Sequence, residues 1–141
     1  MSDFYKYFKE NMDSLGLPAP ETLFGSLTTA VGTATTILSQ IDKFGKSVTI
    51  RDLIIAGTRL EQLAVIGACS AAFYVGAVIG SIAVATGRKL SGGRSLSDVL
   101  FTARKHNLYR EWLDHCLFVC RGIYTPDAPA KRLLRYYQLP A

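Results

Sequence analysis

Two runs without a formal charge interrupt an otherwise amphipathic chain. The longer covers residues 62–86, QLAVIGACSAAFYVGAVIGSIAVAT, twenty-five positions without Asp, Glu, Lys or Arg. About twenty apolar residues of helix suffice to cross a bilayer, so this stretch is long enough to do so. Ala64, Ala68, Ala72, Gly76 and Gly80 recur at every fourth position and share one helical face. Larger residues such as Phe73, Tyr74, Val78, Ile79 and Ile82 fill the other faces. A small-residue stripe lets a second backbone approach closely, where dispersion and weak Cα–H···O contacts accumulate. These five positions are the expected helix-packing residues, and Gly76-Ala-Val-Ile-Gly80 is itself a GxxxG motif. A helix buried in an all-α core has similar texture, although such uncharged runs usually extend over about ten to fourteen residues.

The second uncharged run, 22–41, lies between Glu21 and Asp42 and is rich in Thr and Ser. Thr28, Gly32 and Thr36 form one small stripe at four-residue spacing, with Ser26, Ala30 and Ala34 beside it. A threonine inside a helix can return its hydroxyl to the carbonyl one turn earlier, so such a segment tolerates apolar surroundings while keeping a hydroxyl-dotted face. Set against a Gly/Ala-striped helix in lipid, Thr28, Gly32 and Thr36 are expected to line a narrow water-filled path, because hydroxyls replace part of an ion's hydration shell. The alternative is a helical hairpin whose Thr face meets solvent.

The remaining pattern predicts helices throughout. Ser2 or Asp3 caps a first amphipathic helix that gathers Phe4, Tyr7, Phe8, Met12 and Leu15 on one side and ends at Gly16. Residues 17–20, Leu-Pro-Ala-Pro, form a stiff joint. After a turn at 42–46, Ser47 or Thr49 caps a helix with Asp52 near its positive end. That helix either continues from Ile50 into the long apolar run or breaks near Gly57. Residues 87–94 are a basic, glycine-rich turn, and Ser95 or Ser97 opens a short helix bearing Val99, Leu100, Phe101 and Leu108. Asn107 separates it from a helix over 109–121, and a turn at 125–129 precedes a last amphipathic helix over 130–138. The expected fold is all-α: a compact helical protein with a hydrophobic helical hairpin, about 22–41 and 62–86, able to insert in a membrane. Within one domain, 1–16 is the amphipathic N-terminal helix, 22–90 the hydrophobic hairpin and glycine-zipper region, and 91–141 a basic helical tail.

Charge sharpens this division. Residues 1–86 carry six Lys/Arg against seven Asp/Glu, while residues 87–141 carry ten against four, so the net +5 belongs to the tail. A basic segment beyond an apolar helix suits a juxtamembrane region drawn to anionic lipid. The scattered arginines match no nucleic-acid-binding motif, and no nucleic-acid partner is expected. Phosphate-cradling loops, GxSxG and HExxH are missing from the sequence. His115, Cys116 and Cys120 have no zinc-type spacing. No enzyme activity, catalytic residue, cofactor or metal is therefore expected. The N-terminus alternates aromatic with charged residues and does not read as a cleavable signal peptide.

A helix carrying Gly67-x8-Gly76-x3-Gly80 after a Thr/Ser/Gly-rich apolar helix, in a small signal-less chain, resembles bacterial pore-forming effectors of the type VI secretion machinery. The resemblance covers residues 22–90. It implies carriage by a secretion tube protein without a signal peptide, insertion into membrane lipid of a target cell's inner membrane as a homo-oligomer, depolarisation, and an immunity protein in the producer. The alternative expectation is a non-toxic small membrane adaptor or soluble helical interaction protein, in the cytoplasm or inner membrane of the producer.

Overall fold

A computed structural model describes residues 3–87 and 96–114. The chain is all-α and is organised around one helix. In order, α1 covers Asp3–Ser14, α2 Glu21–Phe24, α3 Leu27–Phe44 and α4 Ile50–Ile55; a 3-10 helix covers Glu61–Ile66, α5 Ala71–Gly87 and α6 Leu96–Lys105. From Ala71 to Ala85 every residue of α5 is buried except Ala72, which is half-buried. A helix apolar on all sides must be enclosed on all sides when it folds in water. Here α1, α3 and α6 pack against it. Each contributes one apolar stripe: Tyr5, Phe8 and Met12 from α1, Ala30, Ala34, Ile37, Leu38 and Ile41 from α3, Val99 and Ala103 from α6. Burying a large aliphatic or aromatic side chain stabilises by about 1.5–3 kcal/mol, so α5 and its three neighbours dominate the core.

Of the two outcomes open from Ile50 onward the chain takes the break at Gly57, and the run 62–86 expected as one helix is interrupted a second time before Ala71, giving three elements in all. Thr49 and Ser70 form an isolated antiparallel bridge. Around it the Ile50 N–H donates to the Cys69 carbonyl at 3.0 Å, the Arg51 N–H to Gly67 at 2.9 Å, and the Ala71 N–H to Val48 at 3.0 Å. Backbone donors of one segment thus satisfy carbonyls of the other, which an uninterrupted helix would have kept for itself. Leu63 and Cys69 reach the core from this region, while Val65 is 82% exposed. At 1.5 Å per residue, the 17 residues of α5 extend about 26 Å, short of a hydrocarbon core of about 30 Å. Among the described residues no helix is long and apolar enough to cross a membrane.

Three helices end in the same way. Gly16, Gly57 and Asn107 adopt φ of 75°, 87° and 61°. The following N–H groups of Leu17, Thr58 and Leu108 return to the carbonyls of Met12, Leu53 and Ala103 at 3.0, 3.3 and 2.7 Å. Such a Schellman closure satisfies helix-end carbonyls and carries the next residue inward. Leu17 and Leu108 are accordingly buried. Helix starts are equally local. Thr49 and Asp52 form a reciprocal capping box at α4, and the Ser26 hydroxyl accepts the Thr29 N–H at α3.

An aromatic column joins α1, α2 and α5. Phe4 and Phe8 stack at 5.6 Å between centroids, Phe8 and Phe24 at 4.9 Å, and Phe24 meets Tyr74 at 6.3 Å. The joint at 17–20 is strapped over it. Tyr5 donates its hydroxyl to the Ala19 carbonyl at 2.7 Å, and Tyr74 donates to Pro18 at 2.8 Å. On the opposite flank Arg110 forks onto Asp42, with Nε 2.9 Å from Oδ1 and Nη2 2.7 Å from Oδ2. The guanidinium holds the Asp42 carboxyl below its ordinary range, so this clamp between α3 and the chain after α6 loosens only in acid. The expected turn at 125–129, the helix at 130–138, and His115, Cys116 and Cys120 lie outside the described residues, as does most of the 87–94 turn.

Candidate functional site: a buried apolar helix and its wrapping

The five expected packing residues do not share one helix. Gly76 and Gly80 are buried in the middle of α5 and Ala72 is half-buried in its first turn. Ala68 lies in the link before α5 and Ala64 in the 3-10 helix, both exposed. The stripe is therefore divided by the backbone bridge at Thr49 and Ser70. Only its C-terminal half lies where another helix could approach, and that half already lies within the wrapped core.

Thr28, Gly32 and Thr36 do fall on one helix, α3, and all three are exposed. The side of α3 turned into the protein carries Ala30, Ala34, Ile37, Leu38 and Ile41 instead. The Thr36 hydroxyl donates to the Gly32 carbonyl at 3.1 Å, Thr35 to Val31 at 2.8 Å and Ser39 to Thr35 at 2.9 Å. Turned back in this way, the hydroxyls are satisfied within their own helix. The face they dot is smooth, and a Cβ placed on Gly32 would meet nothing within 4 Å. Thr33 alone turns inward, donating at 2.7 Å to the Leu23 carbonyl of α2.

Two polar groups inside the core were not singled out from the sequence. The Asn11 Nδ2 of α1 donates to the Ser81 Oγ of α5 at 2.9 Å, with Asn11 only 3% exposed and Ser81 fully enclosed. Asn11 occupies a position in register with Phe4, Phe8 and Leu15 on the apolar side of α1. A polar residue interrupting an apolar stripe is the signal that could have found it, since a buried amide must have a partner. Its bond orients α1 on α5 more than it stabilises the pair, a neutral hydrogen bond being worth about 1 kcal/mol net.

The chemistry of the region is that of packing. Burial pushes the Cys69 thiol up to about 12, which keeps it protonated at neutral pH, and burial likewise raises Tyr74. Among the described residues no three His, Cys, Asp or Glu side chains gather as metal ligands. The distinctive arrangement is thus an uncharged, almost wholly apolar helix enclosed by amphipathic neighbours, beside a helix with a smooth hydroxylated outer face. No protein-family model matches the chain, and neither curated proteins nor solved structures provide a significant match.

Proposed function

We propose that the protein is a membrane-inserting pore former carried in a compact wrapped form, its α3 and α5 leaving α1 and α6 to enter lipid as a hairpin in which α5 packs against copies of itself. The observation that carries this reading is the enclosure of an uncharged, almost wholly apolar helix by three amphipathic neighbours. Its mid-section exchanges one apolar environment for another on insertion. Gly76 and Gly80 then offer the close-packing edge to a second α5, and Thr28, Gly32 and Thr36 face the aqueous path. For α5 to reach across a bilayer, residues 62–70 must rewind onto it, giving about 38 Å of helix. Nothing in that segment carries a formal charge. The type VI effector role, with its immunity partner and target inner membrane, is the biological setting this reading fits.

A second reading is favoured by the shortness of α5. If the bridge of Thr49 with Ser70 never opens, α5 stays a core helix and the protein is a helical interaction module. Gly32 separates the two readings because it bears on only one of them. Leucine there has open space in the wrapped form and is a better helix former than glycine by about 1 kcal/mol. Gly32→Leu is expected to be at least as stable as wild type in chemical denaturation, yet to give smaller single-channel conductance in planar bilayers. Equal conductance in the variant removes the pore-lining role, and absence of wild-type conductance leaves the interaction module.

A further inference from the structure

Among the described residues, three of the four exposed large hydrophobic residues, Phe44, Ile55 and Val65, fall between the last residue of α3 and the start of α5; the fourth, Phe101, belongs to α6. Phe44 and Ile55 are 53% and 77% exposed and share an open hollow of about 370 Å³ with Ser47, Val48, Asp52 and Ala56. Three exposed cations lie in the same stretch of chain. The Lys43 ammonium lies 5.3 Å from the centre of the Phe44 ring, Lys46 adjoins Ser47, and Arg51 precedes Ile55 by one turn of α4. The acids of the same region keep their charge but are bonded within the protein, Asp52 at the edge of the hollow itself. Asp52 Oδ2 accepts the Thr49 N–H of its capping box at 3.0 Å, and Asp42 holds Arg110.

An exposed ring under the Lys43 ammonium and an exposed aliphatic side chain, with Lys46 and Arg51 close along the chain, match the two layers of an anionic bilayer surface. Apolar groups enter the acyl boundary, while Lys and Arg meet headgroup phosphates at their own depth. We infer that the corner formed by Phe44, Ile55, Lys43, Lys46 and Arg51 is where the folded protein first docks on an anionic lipid bilayer. This rests on the membrane-directed reading above and names its first contact. The corner is also where the link between α3 and α4 is tied to the start of α5, through Val48 and Ala71. Docking there brings lipid to the bridge whose opening the rewinding of 62–70 requires.

The test is co-sedimentation of the full chain with vesicles of phosphatidylcholine alone or mixed with phosphatidylglycerol, with dye release read from the same samples. Wild type is expected to bind the anionic vesicles at least tenfold more tightly than the neutral ones. Phe44→Ser/Ile55→Ser and Lys43→Glu/Lys46→Glu should each lose most of that binding, while Phe101→Ser keeps it. All of these positions are exposed, and circular dichroism checks that the variants fold. Because the tail is basic, Lys131→Glu/Arg132→Glu serves as a control of equal charge change, and it should cost less than reversal at the corner. Corner variants that bind like wild type overturn the inference, and if dye release persists in them the pore reading survives. Binding lost at the corner together with no dye release from wild type retires the pore and leaves docking in place. Equal binding to neutral vesicles, or no vesicle binding at all, overturns it. So does self-association in the absence of lipid that Phe44→Ser/Ile55→Ser abolishes, which would assign the corner to a second copy.

Discussion

Val78→Asp is expected to destroy both the folded form and the proposed release of vesicle contents. Val78 is fully enclosed at the middle of α5. An unpaired buried carboxylate costs on the order of 3–5 kcal/mol, a large part of the roughly 5–15 kcal/mol that holds a domain together. In a bilayer the same aspartate at mid-helix costs about 2.5–3.5 kcal/mol. The substitution therefore penalises α5 wherever it goes. Denaturant titration followed by circular dichroism should show the unfolding midpoint sharply lowered or lost, and vesicles should retain their dye. A folded Val78→Asp protein with a normal midpoint would mean that α5 is not enclosed as described.

Phe8→Ala should act in opposite directions on the two properties. Phe8 is fully buried and lies between Phe4 and Phe24 in the column joining α1, α2 and α5. Removing such a ring costs about 3–5 kcal/mol, and the cost falls on the wrapping alone. Stability should drop by that amount, and where the wrapping must open before insertion, dye release should quicken by about a hundredfold or more. Release that falls in step with stability would indicate that the folded wrapping is itself the active form. The pair of substitutions is informative because one damages the helix proposed to move and the other only what holds it.

Much of the architecture was legible because its causes are local. Gly16 and Asn107 act within a turn or two of chain and appear where the sequence placed them, and the Thr49 cap with Asp52 is one of the two caps open from the sequence. Gly57 ended α4, one of the two outcomes open from the sequence. The interruption of 62–86 was not legible. Its cause is the set of backbone bonds from Ile50, Arg51 and Ala71 to Cys69, Gly67 and Val48, between segments about twenty residues apart, which no helical propensity encodes. Nor could periodicity decide which stripe of α3 turns inward. Thr28, Gly32 and Thr36 repeat as regularly as Ala30 and Ala34, and the alanines are buried because a close neighbour covers them. Asn11 with Ser81 was hidden for a similar reason, since the partner lies 70 residues away.

The central claim is that α5 leaves protein for lipid, and a tryptophan within α5 reports that transfer. Phe73→Trp, in a chain whose native indole is removed by Trp112→Phe, places one emitter in the first turns of α5, where Phe73 is buried. Fluorescence is followed on addition of anionic vesicles whose acyl chains carry bromine, with dye release recorded in parallel. Quenching that rises with the same time course as release is the predicted result. Emission left unquenched while the dye escapes would contradict the account, because the vesicles would then have been breached with α5 still inside its wrapping.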